Sequence, residues 1–282
     1  MEEAKNYMNK PITINNSAKI SDVIKKILKL KISRLLVTKD NIITEIVSEK
    51  DLGLLLFMDK TERALGDIPV SEISKKIISV KDTTSLNECA QKILENGIGS
   101  LTLTSNGGVV GIITKTDLVK YFVDEHSGKK MVGEYMTPYY AWEYSDSSLS
   151  KIVSKMIHEK ISRVILRNRN EIPEGVITFR DLFYIALNLG NQEDVLDNSD
   201  SLVSVIFPRK GFVSDSGFGD SVKASEIMTK NLITLDYSDD LGKAGKLLLE
   251  NKINGAGVLS SHGNLVGIIS KSDILKALAY IE

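Results

Sequence analysis

The sequence has few residues of the types that mark several common protein classes. It contains one cysteine, Cys89, which excludes an internal disulfide framework, and its three histidines stand in unrelated contexts. No apolar run approaches the roughly 18 residues needed to cross a bilayer, and the polar N-terminal residues lack the apolar core of a signal peptide. These absences predict a protein of the reducing cytosol that has no membrane partner.

The charge balance and the missing catalytic motifs restrict the function further. A net charge of −1 provides no general attraction to nucleic acid or to an anionic membrane, so any anion must be bound locally. Nucleic acid is therefore a disfavoured partner. The chain has no recognisable nucleophile–base pair, metal cluster or Walker-type loop, and we predict that it is not an enzyme.

One short motif occurs four times in the chain. An apolar run ends in a hydroxyl residue, and a carboxylate follows three positions later. The four pairs are Ser48 and Asp51, Thr114 and Asp117, Thr178 and Asp181, and Ser270 and Asp273. A glycine stands three residues before the hydroxyl in the last three copies, and Glu45 replaces it in the first. The pattern predicts a strand that leads into a helix through a capping box.

Two interpretations of this motif remain open. It is compatible with an ordinary helix start and nothing more. However, each first helical turn also carries a cation, where positive charge is unfavourable by about 0.3–1 kcal/mol. The four cations are Lys50, Lys115, Arg180 and Lys271. A recurrent cation at a helix N-terminus favours the binding of an anion such as phosphate.

The motif belongs to a longer repeat with the order β-α-β-β-α. The apolar helix face Val23, Ile24, Ile27 and Leu28 recurs 66 residues later as Cys89, Ala90, Ile93 and Leu94, which predicts that Cys89 is a packing residue. We assign repeat 1 to 1–69, repeat 2 to 70–130, repeat 3 to 131–187, an insertion to 188–222 and repeat 4 to 223–282.

The repeats are not equally similar to one another. Repeats 1 and 3 share Lys-Ile-Ser-Arg at residues 31–34 and 160–163, whereas repeats 2 and 4 carry small residues there. This alternation indicates that a two-repeat module was duplicated. Because a single repeat buries only one side of its small sheet, we expect repeats 1 and 2 to pair, and repeats 3 and 4.

Repeat 3 opens with an unusual aromatic segment that contains Tyr139, Tyr140 and Trp142. These side chains are suited to stacking on a base, and equally to filling a core or a dimer contact. The sequence leaves these alternatives open.

The four repeats, with Met136-Thr137 and Met228-Thr229 at two of their entries, resemble the CBS-domain family. The chain is similar to a stand-alone protein with four such repeats. The resemblance implies an α+β (α/β) fold in which the repeats form two Bateman-type modules, joined in a disc-like, pseudo-symmetric assembly. It also implies an adenosine ligand, namely AMP, ADP, ATP or S-adenosylmethionine, and no catalytic cofactor.

The resemblance assigns roles to particular positions. The four motif aspartates would accept hydrogen bonds from the ribose diol, and the four hydroxyl residues would contact ribose or phosphate. The base would lie near the first strands, at Ile12, Ile78, Tyr140 and Ile233. Arg34 and Arg163 project from the second strands, and we expect each to reach a phosphate in the cleft of its module or to form a structural salt bridge. Glu45 and the aromatic strand of repeat 3 depart from the family pattern.

The expected function is therefore that of an adenine-nucleotide sensor that regulates an unidentified protein partner. A scaffold that homodimerises without a ligand is the alternative, and a nucleic-acid-binding protein is a further one.

Overall fold

The computed structural model describes residues 2–59, 61, 63–183 and 218–281, and within them the predicted strand and helix order is confirmed. Repeat 1 consists of β1 (Thr13–Asn15), α1 (Ile20–Leu30), β2 (Arg34–Lys39), β3 (Ile42–Ser48) and α2 (Glu49–Met58). Repeat 2 consists of β4 (Lys75–Lys76), β5 (Ser79–Lys81), α3 (Leu86–Glu95), β6 (Ser100–Ser105), β7 (Gly108–Thr114) and α4 (Lys115–His126).

The second half of the chain repeats this order. Repeat 3 consists of α5 (Val132–Tyr135), β8 (Trp142–Tyr144), α6 (Leu149–His158), β9 (Arg163–Arg167), β10 (Pro173–Thr178) and α7, described for residues 179–183. At the end of the insertion lies α8 (Phe218–Ser221). Repeat 4 consists of α9 (Ala224–Ile227), β11 (Thr229–Lys230), β12 (Thr234–Asp236), α10 (Leu241–Glu250), β13 (Gly255–Leu259), β14 (Leu265–Ser270) and α11 (Lys271–Ala279). Most of the expected insertion, 188–217, lies outside the described residues.

Each repeat builds its sheet in the same way. Three strands form it, namely β1 to β3, β5 to β7, β8 to β10 and β12 to β14 in repeats 1 to 4. The first of the three is parallel to the second, and the second is antiparallel to the third. In repeat 2 the hairpin turns at Asn106 and Gly107, with φ angles of 49° and 80°. Asparagine and glycine tolerate this left-handed conformation, which explains the tight turn.

The packing of the repeats differs from the expected pairs. The chain forms two compact units. The odd unit contains repeats 1 and 3 (Ile12–Lys76 and Ala141–Asn231), and the even unit contains repeats 2 and 4 (Met1–Pro11, Ile77–Tyr140 and Leu232–Glu282). The prediction that repeats 1 and 2, and 3 and 4, share cores is wrong. An apolar helix face requires a cover but does not specify which repeat supplies it.

The cores confirm the predicted helix faces. In the odd unit, Val23, Ile24 and Ile27 of α1 lie in one buried cluster with Ile152 and Val153 of α6. The corresponding cluster of the even unit contains Cys89 and Ala90 from α3 and Ala244 and Leu248 from α10, so Cys89 is a packing residue as predicted.

The short segment that enters each repeat joins the sheet of the neighbouring repeat in the chain. We call residues 8–10, 74–76, 136–138 and 228–230 the entry segments. In the odd unit, β4 pairs with β3 and β11 pairs with β10. In the even unit, Asn9 forms a bridge with Ile112 of β7, and Thr137 forms one with Ile268 of β14. The entry segments of repeats 1 and 2 are thus exchanged, as are those of repeats 3 and 4.

Candidate functional site

The four motifs form four strand-to-helix corners with the same hydrogen bonds. Corners 1 to 4 are the hydroxyl–aspartate pairs of repeats 1 to 4, Ser48–Asp51, Thr114–Asp117, Thr178–Asp181 and Ser270–Asp273. In each corner, Oδ2 of the aspartate accepts from the backbone N–H of the hydroxyl residue at 2.7–2.9 Å and from its side-chain hydroxyl at 2.5–2.8 Å. The predicted capping box is present at corners 1, 2 and 4, and corner 3 has the same two bonds to Oδ2.

The other carboxylate oxygen, Oδ1, contacts an entry segment in every corner. The donors occupy equivalent positions but differ in chemistry. They are Lys75 Nζ to Asp51 at 2.5 Å, Asn9 Nδ2 to Asp117 at 2.8 Å, Thr229 Oγ1 to Asp181 at 3.0 Å, and Thr137 Oγ1 to Asp273 at 3.4 Å. The capping function therefore uses one oxygen, and the entry segment uses the other.

The corners also differ in burial and charge. Asp51 is 7% exposed and Asp273 is 2% exposed, whereas Asp117 and Asp181 are half-buried. The two buried carboxylates are the ones with ammonium partners. Lys276 Nζ, from the next turn of α11, lies 2.7 Å from Asp273 Oδ1. Asp117 and Asp181 instead contact a neutral amide and a neutral hydroxyl.

The motif glycines leave space for the entry segment that packs against each of these corners. A Cβ at Gly175 would lie 2.5 Å from the carbonyl oxygen of Thr229, and one at Gly267 would lie 2.8 Å from that of Thr137. A methionine of the entry segment also packs against each glycine, and Met8 does so at Gly111. The absence of a side chain therefore allows the entry backbone to approach the strand closely.

Corner 1 replaces both members of this contact. The position of the glycine is held by Glu45, and the position of the methionine by Ser74. The Ser74 hydroxyl donates a 2.6 Å hydrogen bond to the Glu45 carboxylate. The departure of Glu45 from the motif is therefore matched by a second departure in the segment that contacts it.

Two lysines cross between the helix N-termini of the even unit. Lys115 Nζ, on the first turn of α4, donates to Ser272 Oγ at 2.6 Å. Lys271 Nζ, on the first turn of α11, donates to Thr116 Oγ1 at 2.9 Å. Lys271 is buried. The cations noted in the sequence at these two helix starts thus lie together, next to the partially positive ends of two helices.

The equivalent position of the odd unit contains an ion pair. Arg180 Nε donates to Glu49 Oε1 at 2.6 Å, and the guanidinium also donates to the Ile32 carbonyl at 3.3 Å. Burial raises the pKa of Glu49, although the positive charges of Arg180 and Arg34 act in the opposite direction. Here the cation at the helix start is matched by a carboxylate.

The model of the CBS domain matches residues 4–53, 66–124, 132–188 and 224–280, which is most of the chain. The chain belongs to the CBS-domain family. The matched regions correspond to the four repeats, and each includes its strand-to-helix corner.

Two archaeal relatives share the fold over almost the whole chain. Protein MJ1225 of Methanocaldococcus jannaschii is 21% identical over 79% of this chain and 76% of its own length. Its crystal structure, described as that of a suggested archaeal homologue of g-AMPK, superposes with a TM-score of 0.80 at 20% identity, and covers 99% of this chain and 100% of that one. A conserved protein of Pyrococcus horikoshii has a TM-score of 0.65 at 17% identity, and covers 98% of this chain and 100% of its own.

One relative carries an enzyme name. A homoserine O-acetyltransferase of Methanococcus vannielii is 22% identical over 73% of this chain, but the match covers only 35% of that protein. The part of this chain that the structure describes holds no cluster of three or more His, Cys, Asp or Glu residues placed to bind a metal. None of its described helices is long and apolar enough to cross a membrane.

The arginines predicted to bind phosphate lie beside the CBS corners of the odd unit. Arg34 begins β2 opposite Ser48, and Arg163 begins β9 opposite Thr178. The guanidinium of Arg34 donates to Ser33 Oγ at 3.0 Å. Their assignment to phosphate remains a prediction.

The positions predicted to contact the base precede the first strands. Ile12 and Ile78 are 39% and 38% exposed, and Ile233 is half-buried. The carbonyls of all three accept a hydrogen bond from the second strand of their repeat. In repeat 3 the carbonyl that accepts this bond, from Ile165 N, belongs to Ala141. Tyr140 therefore lies one position earlier in its repeat than Ile12, Ile78 and Ile233 do in theirs. The hydroxyl of Tyr140 donates to the Leu265 carbonyl at 3.5 Å.

The other aromatic residues of this CBS repeat have distinct surroundings. Trp142 packs under the guanidinium of Arg167, with 4.8 Å between the guanidinium carbon and the ring centroid, and is half-buried. Tyr139 is 92% exposed. Neither residue fills the core, and the roles in base stacking and in a dimer contact remain predictions.

Sequence reasoning missed the entry residues that contact Oδ1, namely Asn9, Lys75, Thr137 and Thr229. The segment Met-Thr was noted in two repeats, but no contact was assigned to it. Aligning the four entry segments with the four motif glycines would have revealed the pairing, because Ser74 and Glu45 change together.

Proposed function

We propose that this CBS-domain protein is a regulatory protein that binds an adenine nucleotide, AMP, ADP or ATP or a related adenosyl ligand, at corners 2, 3 and 4. The observation that supports it most directly is that the two carboxylate oxygens of each motif aspartate have different partners. One oxygen accepts the capping bonds, and the other accepts from an entry segment, whose donor at corners 2 to 4 is a neutral amide or hydroxyl that a ribose hydroxyl would replace.

A ribose diol offers two hydroxyl donors to a carboxylate. At corners 2 and 3, a hydroxyl would replace the neutral donor of Asn9 or Thr229 at Oδ1, so a hydrogen bond to the charged acceptor is exchanged rather than lost. Such bonds are worth about 1.5–3 kcal/mol. The capping bonds to Oδ2 need not change. This exchange would couple nucleotide binding to the position of the entry segment.

Cations near the corners support binding of the phosphate. In the even unit, Lys115 and Lys271 lie at the N-termini of α4 and α11 and donate to hydroxyl groups. A phosphate would replace these neutral acceptors with charged ones, while the helix dipoles favour the same charge. In the odd unit, Arg34 and Arg163 are the candidates.

A regulatory rather than catalytic role agrees with the family and with the fold shared with MJ1225. That protein is described as a suggested homologue of g-AMPK. We extend to this chain the idea that a bound nucleotide changes its affinity for a protein partner, which the sequence does not identify. The match to the acetyltransferase covers too little of that enzyme to favour its activity.

The test is calorimetric titration with AMP and ATP of Asp117→Ala and Asp273→Ala. We expect each variant to weaken binding at its corner by about 1.5–3 kcal/mol, roughly tenfold to a hundredfold. Asp124→Ala is the matched control, because Asp124 lies on the same helix as Asp117 and is exposed. Unchanged affinities in both corner variants would refute the role of the aspartates in binding ribose.

A scaffold without a ligand is the second candidate function. It is favoured by the structural roles of two recurrent motif residues, the aspartate as a helix cap and the glycine, at corners 2 to 4, as the site of close approach. It predicts that nucleotides leave the melting temperature unchanged. Binding at one hundred times the dissociation constant would instead add about 2.7 kcal/mol to the free energy of unfolding.

A further inference from the structure

Corners 1 and 3 lie in the same unit and have the same backbone register. Glu45 of β3 pairs with Lys76, and Ile46 pairs with Lys75. Gly175 of β10 pairs with Lys230, and Val176 pairs with Thr229. The two corners can therefore be compared position by position.

Three of the positions that differ lie where the strand meets the entry segment, and these three changes fit one another. Where corner 3 has Gly175 with Met228 packed against it, corner 1 has Glu45 hydrogen-bonded to Ser74. The third change concerns the carboxylate oxygen that faces the entry segment. The hydroxyl of Thr229 donates to it in corner 3, and the ammonium of Lys75 lies 2.5 Å from it in corner 1.

The two donors have different consequences for a sugar. Replacing Thr229 by a ribose hydroxyl exchanges one neutral donor for another at a half-buried carboxylate. Replacing Lys75 removes the cation from a carboxylate that is 7% exposed, and leaves that negative charge facing neutral hydroxyls in a poorly solvated place. The entry segment of corner 1 is further held by the bond between Ser74 and Glu45.

We propose that corner 1 is closed by its own entry segment, with Lys75 as the residue that excludes ligand, and that the chain binds nucleotide at three corners at most. This inference rests on the proposed function. It assigns Lys75, Ser74 and Glu45 a structural role as a set, which explains why the motif glycine is missing in this repeat and why its aspartate is nevertheless retained.

Corner 4 shows why an ammonium group alone does not close a corner. Lys276 contacts Asp273 from the next turn of the same helix and is half exposed, so it can turn away without moving the backbone. The corner keeps Gly267 and the packed Met136. The side chain of Lys75 is also exposed, at 64%, but Lys75 occupies the entry position that Thr137 holds in corner 4. In corner 1 the bond between Ser74 and Glu45 also replaces the glycine and the packed methionine.

The experiment gives corner 1 the side chains of corner 3 at these three positions. The triple variant Glu45→Gly, Ser74→Met, Lys75→Thr is titrated with AMP and with ATP beside the wild-type protein, and the stoichiometry is measured by calorimetry. Asp51→Asn is introduced into both proteins. We expect the triple variant to bind one more nucleotide than the wild type, and Asp51→Asn to abolish that gain while leaving the wild-type stoichiometry unchanged.

Other outcomes separate this inference from the proposed function. If Asp51→Asn removes a site from the wild-type protein, corner 1 is open and the inference is overturned, whereas the proposed function stands. If the triple variant gains no site, Lys75 and its two companions are not what closes the corner. If the triple variant does not fold, the single variant Lys75→Thr must show the gain. Absence of binding in every protein overturns both proposals.

Discussion

The two units place different chemistry at the same position, where two helices begin side by side. In the even unit, Lys115 and Lys271 each donate to a hydroxyl on the other helix, in a reciprocal arrangement. In the odd unit, the arrangement is one-sided. Arg180 pairs with Glu49, and the residue that corresponds to the second lysine is Phe179.

The difference changes what each helix start offers an anion. The lysines of the even unit contact neutral hydroxyls that a phosphate can replace. The arginine of the odd unit already contacts a carboxylate, so an anion there would compete with Glu49. The repeat conserves the backbone of the helix start and the capping box, whereas the charge beside them is set separately in each unit.

Shape differs along with charge. Phe179 packs against Gly53 of α2 so closely that a Cβ at Gly53 would overlap its ring, and Phe179 is 4% exposed. The residue of repeat 2 that corresponds to Gly53 is Val119, which is buried. A large residue at one helix start is thus accommodated by a missing side chain on the facing helix.

Gly53→Val should disrupt the packing of the Phe179 ring against α2, and we expect it to change the free energy of unfolding more than the other variants below. It gives repeat 1 the residue of repeat 2, but the new side chain occupies the space of the Phe179 ring. We expect the free energy of unfolding to fall by about 1–3 kcal/mol, as in overpacked cores. Denaturant titration measures it.

The control for this prediction is Gly66→Val, because the nearest atom to a Cβ at Gly66 is Ser21 Oγ at 3.9 Å. The double variant Gly53→Val, Phe179→Ala should lose less stability than the sum of its single variants, because removing the ring makes room for valine. Additive losses would show that the ring does not limit the space at Gly53.

The buried carboxylate of the ion pair in the odd unit, Glu49, predicts a pH dependence of stability. Burial raises the pKa of Glu49 in the folded protein above its ordinary value of 4.5. The folded state therefore takes up a proton at Glu49 at a higher pH than the unfolded state does. As the pH falls through the raised pKa toward about 4.5, this residue's contribution to stability rises; above the raised pKa that contribution is absent.

Comparison with Glu49→Gln isolates this effect. The free energy of unfolding of the wild type minus that of the variant should increase as the pH is lowered from about 7 toward 4.5. Lys115→Met, in the even unit, serves as the control and should show no such trend in this pH range. A difference that does not vary with pH would contradict the raised pKa of Glu49.

The smallest expected change in stability concerns the buried faces of α1 and α3, where Cys89 of the even unit corresponds to Val23 of the odd unit. Both are fully buried. Cys89→Val should change the free energy of unfolding by less than about 1.5 kcal/mol, because the two side chains are of similar size.

Burial also predicts an unreactive thiol. It raises the pKa of Cys89 to about 12. At pH 8 about one thiol in ten thousand would then be ionised, compared with about one in four for a free cysteine. A thiol reagent should therefore label Cys89 only after the protein is unfolded. Rapid labelling of the folded protein would show that α3 leaves its position in the core.

The local structure of the repeats was predictable because its causes are local. The spacing of apolar residues and the capping boxes depend on neighbours within a few positions, so the helices, the hairpins and the buried stripe that includes Cys89 follow from the repeat. Family membership followed from the same motifs. The roles of the motif aspartates in binding remain predictions, although their position at the four corners was correct.

Three features depended on contacts between residues far apart in the chain. The pairing of repeat 1 with 3 and of 2 with 4, the exchange of entry segments, and the partners of the aspartate Oδ1 atoms each join segments separated by tens of residues. The sequence showed that the first strand of repeat 3 is one residue shorter than that of repeat 4, and the strand register shows that Tyr140 lies one position before its supposed equivalents.

The sequence alone therefore determined what each repeat is: its strands, its helices, its four capped corners and the faces that must be buried. The tertiary structure decided which repeat covers which, and which entry residue holds each aspartate. The physical reason is that burial is nondirectional. An apolar face is satisfied by any complementary cover, whereas a partner is selected by long-range fit, such as Phe179 with Gly53 or Lys75 with Asp51.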